Sequence, residues 1–163
     1  MATQNTTEYG RETDPRTNGF LTVQQNPSPV FMMRFNLTTA AGSSGDVINL
    51  RFLPPGRIVV YPRLSYLQVD AFGASRVIDV GSAAYLDETG ATVAAATAAW
   101  DTGISVAAAA NIQLGASVAA GTGGIFEYTS RAGVTIQMIV TGGTIPVSTK
   151  INGFLAVAFP GGI

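Results

Sequence analysis

No cysteine and no histidine occur in the 163 residues. Their absence excludes a disulfide framework, a thiolate nucleophile, an imidazole metal site and a serine nucleophile activated by histidine. Lys150 is the single lysine, and no phosphate-loop lysine motif surrounds it. Charge of either sign is scarce: charged residues make up 12% of the chain, against about 25% in an ordinary domain. A net charge of −1 gives no broad attraction to nucleic acid or anionic membrane, and neither is expected as a partner. The one long stretch without many polar groups, residues 91–120, is alanine-rich and interrupted by Asp101-Thr102-Gly103. A central Asp costs a membrane span about 2.5–3.5 kcal/mol, so a span is rejected. The opening residues, MATQNTTEYGRETDPRTNG, lack the apolar core of a secretory signal.

So few charges cannot coat a lone domain of this size. Much of the surface is therefore expected to be covered by further copies of the chain or by a partner.

What is present reads as β-structure. The central stretch, Arg57 to Tyr85, is rich in Val, Ile, Leu and Tyr, which suit a pleated, half-buried surface. It is expected to run as a long extended segment, a tight turn at Phe72-Gly73-Ala74-Ser75 and a returning strand, Arg76 to Val80. The apolar phase slips near Tyr66, which asks for a bulge or for cover on both faces. Upstream, Phe31, Met33, Phe35 and Leu37 alternate with Arg34 and Asn36. Ile48, Leu50 and Phe52 then alternate with Asn49 and Arg51, which predicts two half-buried strands joined by the polar TTAAGSSG turn. Downstream, Phe126 and Tyr128, then Val134, Ile136, Met138 and Val140, repeat the pattern. Lys150 to Phe159 is apolar on both faces, as a central strand should be. About eight strands in two sheets follow: an all-β jelly roll or sandwich over residues 30–163.

The alanine-rich stretch carries three echoes, at Thr92, Ser105 and Ser117, each followed by Val-Ala-Ala. A short helix over Val93 to Trp100, anchored by the tryptophan, is expected from the helix propensity of alanine. Residues 1–29 are too polar to fold alone and are expected to form an extended arm. Within them Phe20, Leu21 and Val23 give an apolar foothold for a partner. In the body, Phe154 is the candidate for closing either the core or a contact between copies.

Sites of chemistry are few. Asp70 and Asp79 flank the central turn, where two carboxylates could serve a glycosidase, but turn and rim carboxylates near Arg63 and Arg76 are the plainer reading. Tyr61, Tyr66 and Tyr85 could line a sugar-binding face or simply pack. Gly121-Thr-Gly-Gly lacks dinucleotide spacing, and no calcium-loop pattern occurs. No enzymatic activity, cofactor or metal is expected.

The run LPPGRIVVYPRLSYLQVDAFGASRVIDVGSAAY, then WDTGISVAAAAN, then VTIQMIVTGGTIPVSTKINGFLAVAF, resembles the jelly-roll capsid cement (decoration) proteins of tailed phages. The likeness rests on the Asp79-Val80-Gly81 strand end, the Gly142-Gly143-Thr144 turn and the final strand led by Gly153. It implies a homotrimer seated on the outer surface of a virion, with the major capsid protein as partner, bracing the shell. The alternative is a carbohydrate-binding or host-attachment module of a phage head or tail appendage.

Overall fold

The computed structural model describes residues 3–5, 30–116 and 124–160. All of its regular structure except one 3-10 turn is β-strand. One sheet holds β1 (Thr3–Asn5), β3 (Val47–Leu53), β12 (Val134–Thr141), β6 (Val77–Ser82) and β9 (Ala96–Ser105), in the order β1-β3-β12-β6-β9. The other is centred on β13 (Lys150–Ala158). On one side β13 pairs with β2 (Phe31–Thr38), and on the other with β4 (Gly56–Val60) and β5 (Tyr66–Val69). Beyond these lie β10 (Ala110–Gln113) against β5, and β11 (Phe126–Ser130) against β4. A small ribbon, β7 (Tyr85–Leu86) with β8 (Thr92–Val93), forms a sheet of its own. It is tied to the end of β11, where Asp87 bridges to Ser130 and the Ser130 hydroxyl donates to the Leu86 carbonyl at 2.7 Å. The long strands mostly cross from one sheet to the other as the chain proceeds, and the two four-strand orders β2-β13-β4/β5-β10/β11 and β3-β12-β6-β9 are those of a jelly roll.

The alternating apolar positions face each other across the sandwich. Met33 and Phe35 from β2, Leu67 and Val69 from β5, and Ile151, Leu155 and Val157 from β13 meet Ile48, Ile78, Val80, Ile136, Met138 and Val140 from the opposite sheet. Each fully buried aliphatic side chain of this kind contributes about 1.5–3 kcal/mol.

Several local expectations change once pairing is seen. The phase slip near Tyr66 is a break: Pro62–Leu64 forms the 3-10 turn, and the strands on either side of it both lie along β13. Proline fixes its own φ and carries no N–H for a ladder, so the strand cannot run through Pro62. The reversal at Phe72-Gly73-Ala74-Ser75 is present, with Gly73 at φ 101 and Ser75 at φ 64. It does not make a hairpin, because β5 and β6 lie in different sheets. Phe72 enters the core at this crossing and donates its N–H to the Val106 carbonyl at 2.9 Å. The TTAAGSSG segment is likewise a crossing, since β2 pairs with β13 and β3 with β12.

Within β3 a register shift places Ile136 opposite Arg51 and Gln137 opposite Asn49, so Leu50 is the extra residue. Leu53, rather than Phe52, then stands opposite Val134 and is fully buried.

The helix expected over Val93 to Trp100 is not formed; Ala96–Ser105 is the ten-residue edge strand β9. Alanine's helix preference is worth only tenths of a kcal/mol per residue, and pairing with β6 overrides it. Gly81 permits that pairing, since a Cβ there would lie 2.0 Å from the Ala96 carbonyl oxygen. Gly153 plays the same part in the other sheet: a Cβ would meet the Tyr66 carbonyl oxygen at 2.3 Å and the Phe35 ring at 2.5 Å.

Residues 3–5 of the expected arm add to the edge of β3 in parallel, Thr3 opposite Val47 and Asn5 opposite Asn49. Phe20, Leu21 and Val23 lie outside the described residues, as does the third alanine echo at Ser117.

Candidate interaction surface

The residues expected to carry chemistry are spread over separate structural tasks. Asp70 Oδ2 accepts the Lys150 backbone N–H at 2.9 Å and ties the end of β5 to β13. Asp79, in the other sheet, accepts from the Gly103 N–H at 2.7 Å and the Thr102 hydroxyl at 2.9 Å, holding an irregular stretch of β9 against β6. The two carboxylates do not form a pair. Arg76 turns to neither: it donates to the Thr144 carbonyl at 2.7 Å, the Thr144 hydroxyl at 3.2 Å and the Ala74 carbonyl at 3.3 Å, clasping two turns together. Arg63 lies beside the Leu114–Ala116 turn and Gly124. Among the described residues no cluster of three or more acidic side chains is placed to hold a metal ion.

The tyrosines part company as well. Tyr85 meets Tyr128 edge-on at 5.7 Å, while Tyr66 stacks on Phe154 at 6.1 Å and 24°. Tyr61 stands in the bend before the 3-10 turn.

Phe154 sits on the outer face of the β13 sheet, half-buried, because the core side of β13 is taken by Ile151, Leu155 and Val157. Pairing draws two rows across four strands of this face. One runs Arg34, Phe154, Tyr66, Gln113; the next runs Asn36, Asn152, Gln68, Asn111. All four amide residues of the second row are exposed, and Met32, 62% exposed, stands beyond the first row opposite Ala156. The two rows hold one formal charge, on Arg34. Neutral amides and an aromatic pair can be buried against a partner if they find hydrogen bonds there, at a far lower desolvation cost than ions. The period of two marked Arg34 and Asn36 as outward-facing; the alignment of all eight positions into rows depends on the pairing of strands far apart in the chain.

On the far side of the same face, Arg57 Nε donates to Glu127 Oε1 at 2.5 Å. The hydrogen bond from Arg57 holds the Glu127 carboxyl below its ordinary range. Asp87, in the turn between β7 and β8, is held low by the Thr89 hydroxyl and by the N–H groups of Ala91 and Thr89. A carboxyl depressed by folding stabilises the fold above its unfolded pKa, and that contribution is lost as pH falls through the folded value. Thermal unfolding is therefore expected to be unchanged between pH 7 and 5 and to shift to lower temperature below about pH 4. In Glu127→Gln the acid-side drop should be smaller.

No family model and no curated protein matches the sequence. Solved structures do match in fold. One chain in the capsid of Ralstonia phage GP4 superposes with a TM-score of 0.65 at 18% identity, covering 97% of this chain and 98% of that one. A chain in the capsid asymmetric unit of cyanophage Pam1 superposes with a TM-score of 0.52 at 13% identity, covering 90% of this chain and 100% of that one. At these identities the likeness establishes a shared jelly-roll body.

Proposed function

We propose that the protein is a non-enzymatic structural component of a phage virion. In this reading it is a cement protein that binds the major capsid protein on the outer surface of the shell as a homotrimer and stabilises the particle. The observation that carries the reading is the end-to-end match, over 97% and 98% of the two chains, with a chain of a phage capsid structure. The nearly charge-free rows across the β13 sheet supply a surface suited to burial. A trimer docking at several points also gains from multivalency, since the first contact raises the local concentration of the next.

Sedimentation of the purified protein is expected to give a trimer; a monomer at high concentration overturns that part. Phe154→Ala should weaken self-association while costing the fold only about 1 kcal/mol, the worth of a half-exposed aromatic pair. Binding to capsid shells prepared without this chain tests the rest. Deleting residues 1–26 should leave the body folded and reduce shell binding, with Phe20→Ala reproducing part of the loss through the foothold it shares with Leu21 and Val23. A truncated protein that binds as tightly as the full chain would show that the arm plays no part.

The amide row beside the Tyr66–Phe154 pair also favours a second reading, a host-attachment module that recognises glycans. Amides both donate to and accept from sugar hydroxyls. Binding to a glycan array by a protein that leaves capsid shells bare would select this reading over the first.

A further inference from the structure

The edge of β3 is covered by a strand that need not come from the same chain. Val47, Ile48 and Asn49, the residues that β1 pairs with, are all buried. Left bare, so apolar an edge would template pairing with other chains. Its cover is three residues in parallel register. The connection from Asn5 to the first body strand is out of proportion to the gap it has to cross. β3 and β2 are neighbours at one side of the sandwich, where the Arg51 guanidinium donates to the Arg34 carbonyl at 3.0 Å. Facing sheets lie about 10 Å apart, whereas residues 6–29 fully extended reach roughly 80 Å. Connections longer than about 12–15 residues are uncommon between adjacent elements and usually serve a purpose of their own.

We propose that in the oligomer Thr3–Asn5 of one copy pairs with β3 of the next, so that each copy gives a strand to one neighbour and receives one from the other. This rests on the oligomeric reading above. Exchanging an identical element between protomers costs little, because the contacts made are those already available within one chain. A head-to-tail contact of this type closes as a ring when the rotation between copies allows it, and it makes each copy's sheet depend on its neighbour.

The absence of cysteine makes a direct test possible. Register partners on adjacent strands lie about 4.8 Å apart, within the Cα span that a disulfide bridges, so Asn5→Cys with Asn49→Cys introduces the only two thiols in the protein. After oxidation, denaturing gels without reductant are expected to show covalent dimers and higher species that collapse to a single chain on reduction. A single-chain band whose thiols are fully consumed would place the strand on its own β3 and overturn the exchange. Thiols that stay free under oxidation would show that Asn5 is beside no copy's Asn49, with the same consequence. Sedimentation of the unmodified protein separates the two ideas: a trimer with intrachain disulfides removes the exchange alone, whereas a monomer removes the oligomer beneath it. As a second variant, Gln4→Pro takes an N–H from the ladder outside the body. It should raise the protein concentration at which the oligomer half-dissociates on dilution by tenfold or more while leaving the β-sheet circular dichroism in place; an unchanged midpoint counts against the exchange.

Discussion

Trp100→Ala is expected to remove about 3–5 kcal/mol of stability, a large share of the 5–15 kcal/mol typical of a folded domain. Trp100 is 0% exposed and joins the two sheets from the edge strand β9. Its ring lies 6.0 Å from Phe126 at a 44° tilt, and its Nε1–H donates to the Tyr128 hydroxyl at 3.1 Å, both partners being on β11 of the other sheet. Alanine would leave an indole-sized cavity and take a donor from a buried hydroxyl. Trp100→Phe keeps most of the volume and loses the N–H, so a cost nearer 1–2 kcal/mol is expected from the hydrogen bond and the imperfect fit. Urea unfolding followed by circular dichroism measures both, since the only tryptophan fluorophore is gone. An alanine variant within 1 kcal/mol of the parent would contradict the packing described. Burial also pushes the Tyr128 hydroxyl's pKa up. A raised folded pKa means stability that is intact below the unfolded value of about 10 and is lost as pH rises from there through the folded value.

The second large effect is expected at Asp101. Its carboxylate is fully buried and accepts the Gly115 N–H at 2.5 Å, fixing the turn that follows β10. That turn sits tightly: Gly115 has φ 79, and a Cβ on it would lie 2.9 Å from the Pro62 ring. Leu114, fully buried, also donates its N–H to the Ser65 carbonyl at 3.1 Å. Asp101→Ala deletes a charge-assisted hydrogen bond worth about 1.5–3 kcal/mol and strands a buried donor, so a loss of about 3 kcal/mol is expected. Asp101→Asn retains an acceptor and should recover much of it. Hydrogen exchange at Gly115 reads the local effect: it should accelerate strongly in the alanine variant and modestly in the asparagine variant. Equal protection in all three proteins would show that the carboxylate does not hold the turn.

Alternation of side chains made the strands and their buried faces legible. Met33, Phe35, Ile48, Leu50, Val134, Ile136, Met138 and Val140 all point where a period of two places them. Pairing was not legible in the same way. A strand's face is written in its own residues, but its partner is decided by residues a hundred positions away. Hence β2 and β3, and again β5 and β6, read as hairpins although each connection crosses between sheets. The alanine-rich stretch misled for a different reason: local propensity is weak, and the pairing that overrules it depends on Gly81, whose missing side chain has meaning only once Ala96 is beside it. Asp101 read as an obstacle to a membrane span, and nothing local marked it as a buried anchor. Of the outer rows, Arg34, Asn36, Tyr66 and Phe154 stood out as single residues, whereas Gln68, Asn111, Gln113 and Asn152 did not, and only the assembled sheet aligns all eight.

β12 and β13 are the middle strands of the two sheets, and they are also the last two described strands to leave the ribosome. Until residues 134–158 have emerged, β2 has no ladder partner, β3 lacks the one on its inner side, and β4 and β5 lack their central neighbour; only side pairings such as β6 with β9 can form. At about 5–20 residues per second, the interval between making β2 and enclosing it is on the order of ten seconds. The body therefore folds as a late event, and through that interval its apolar strands stay open to misassociation or to capture by a chaperone.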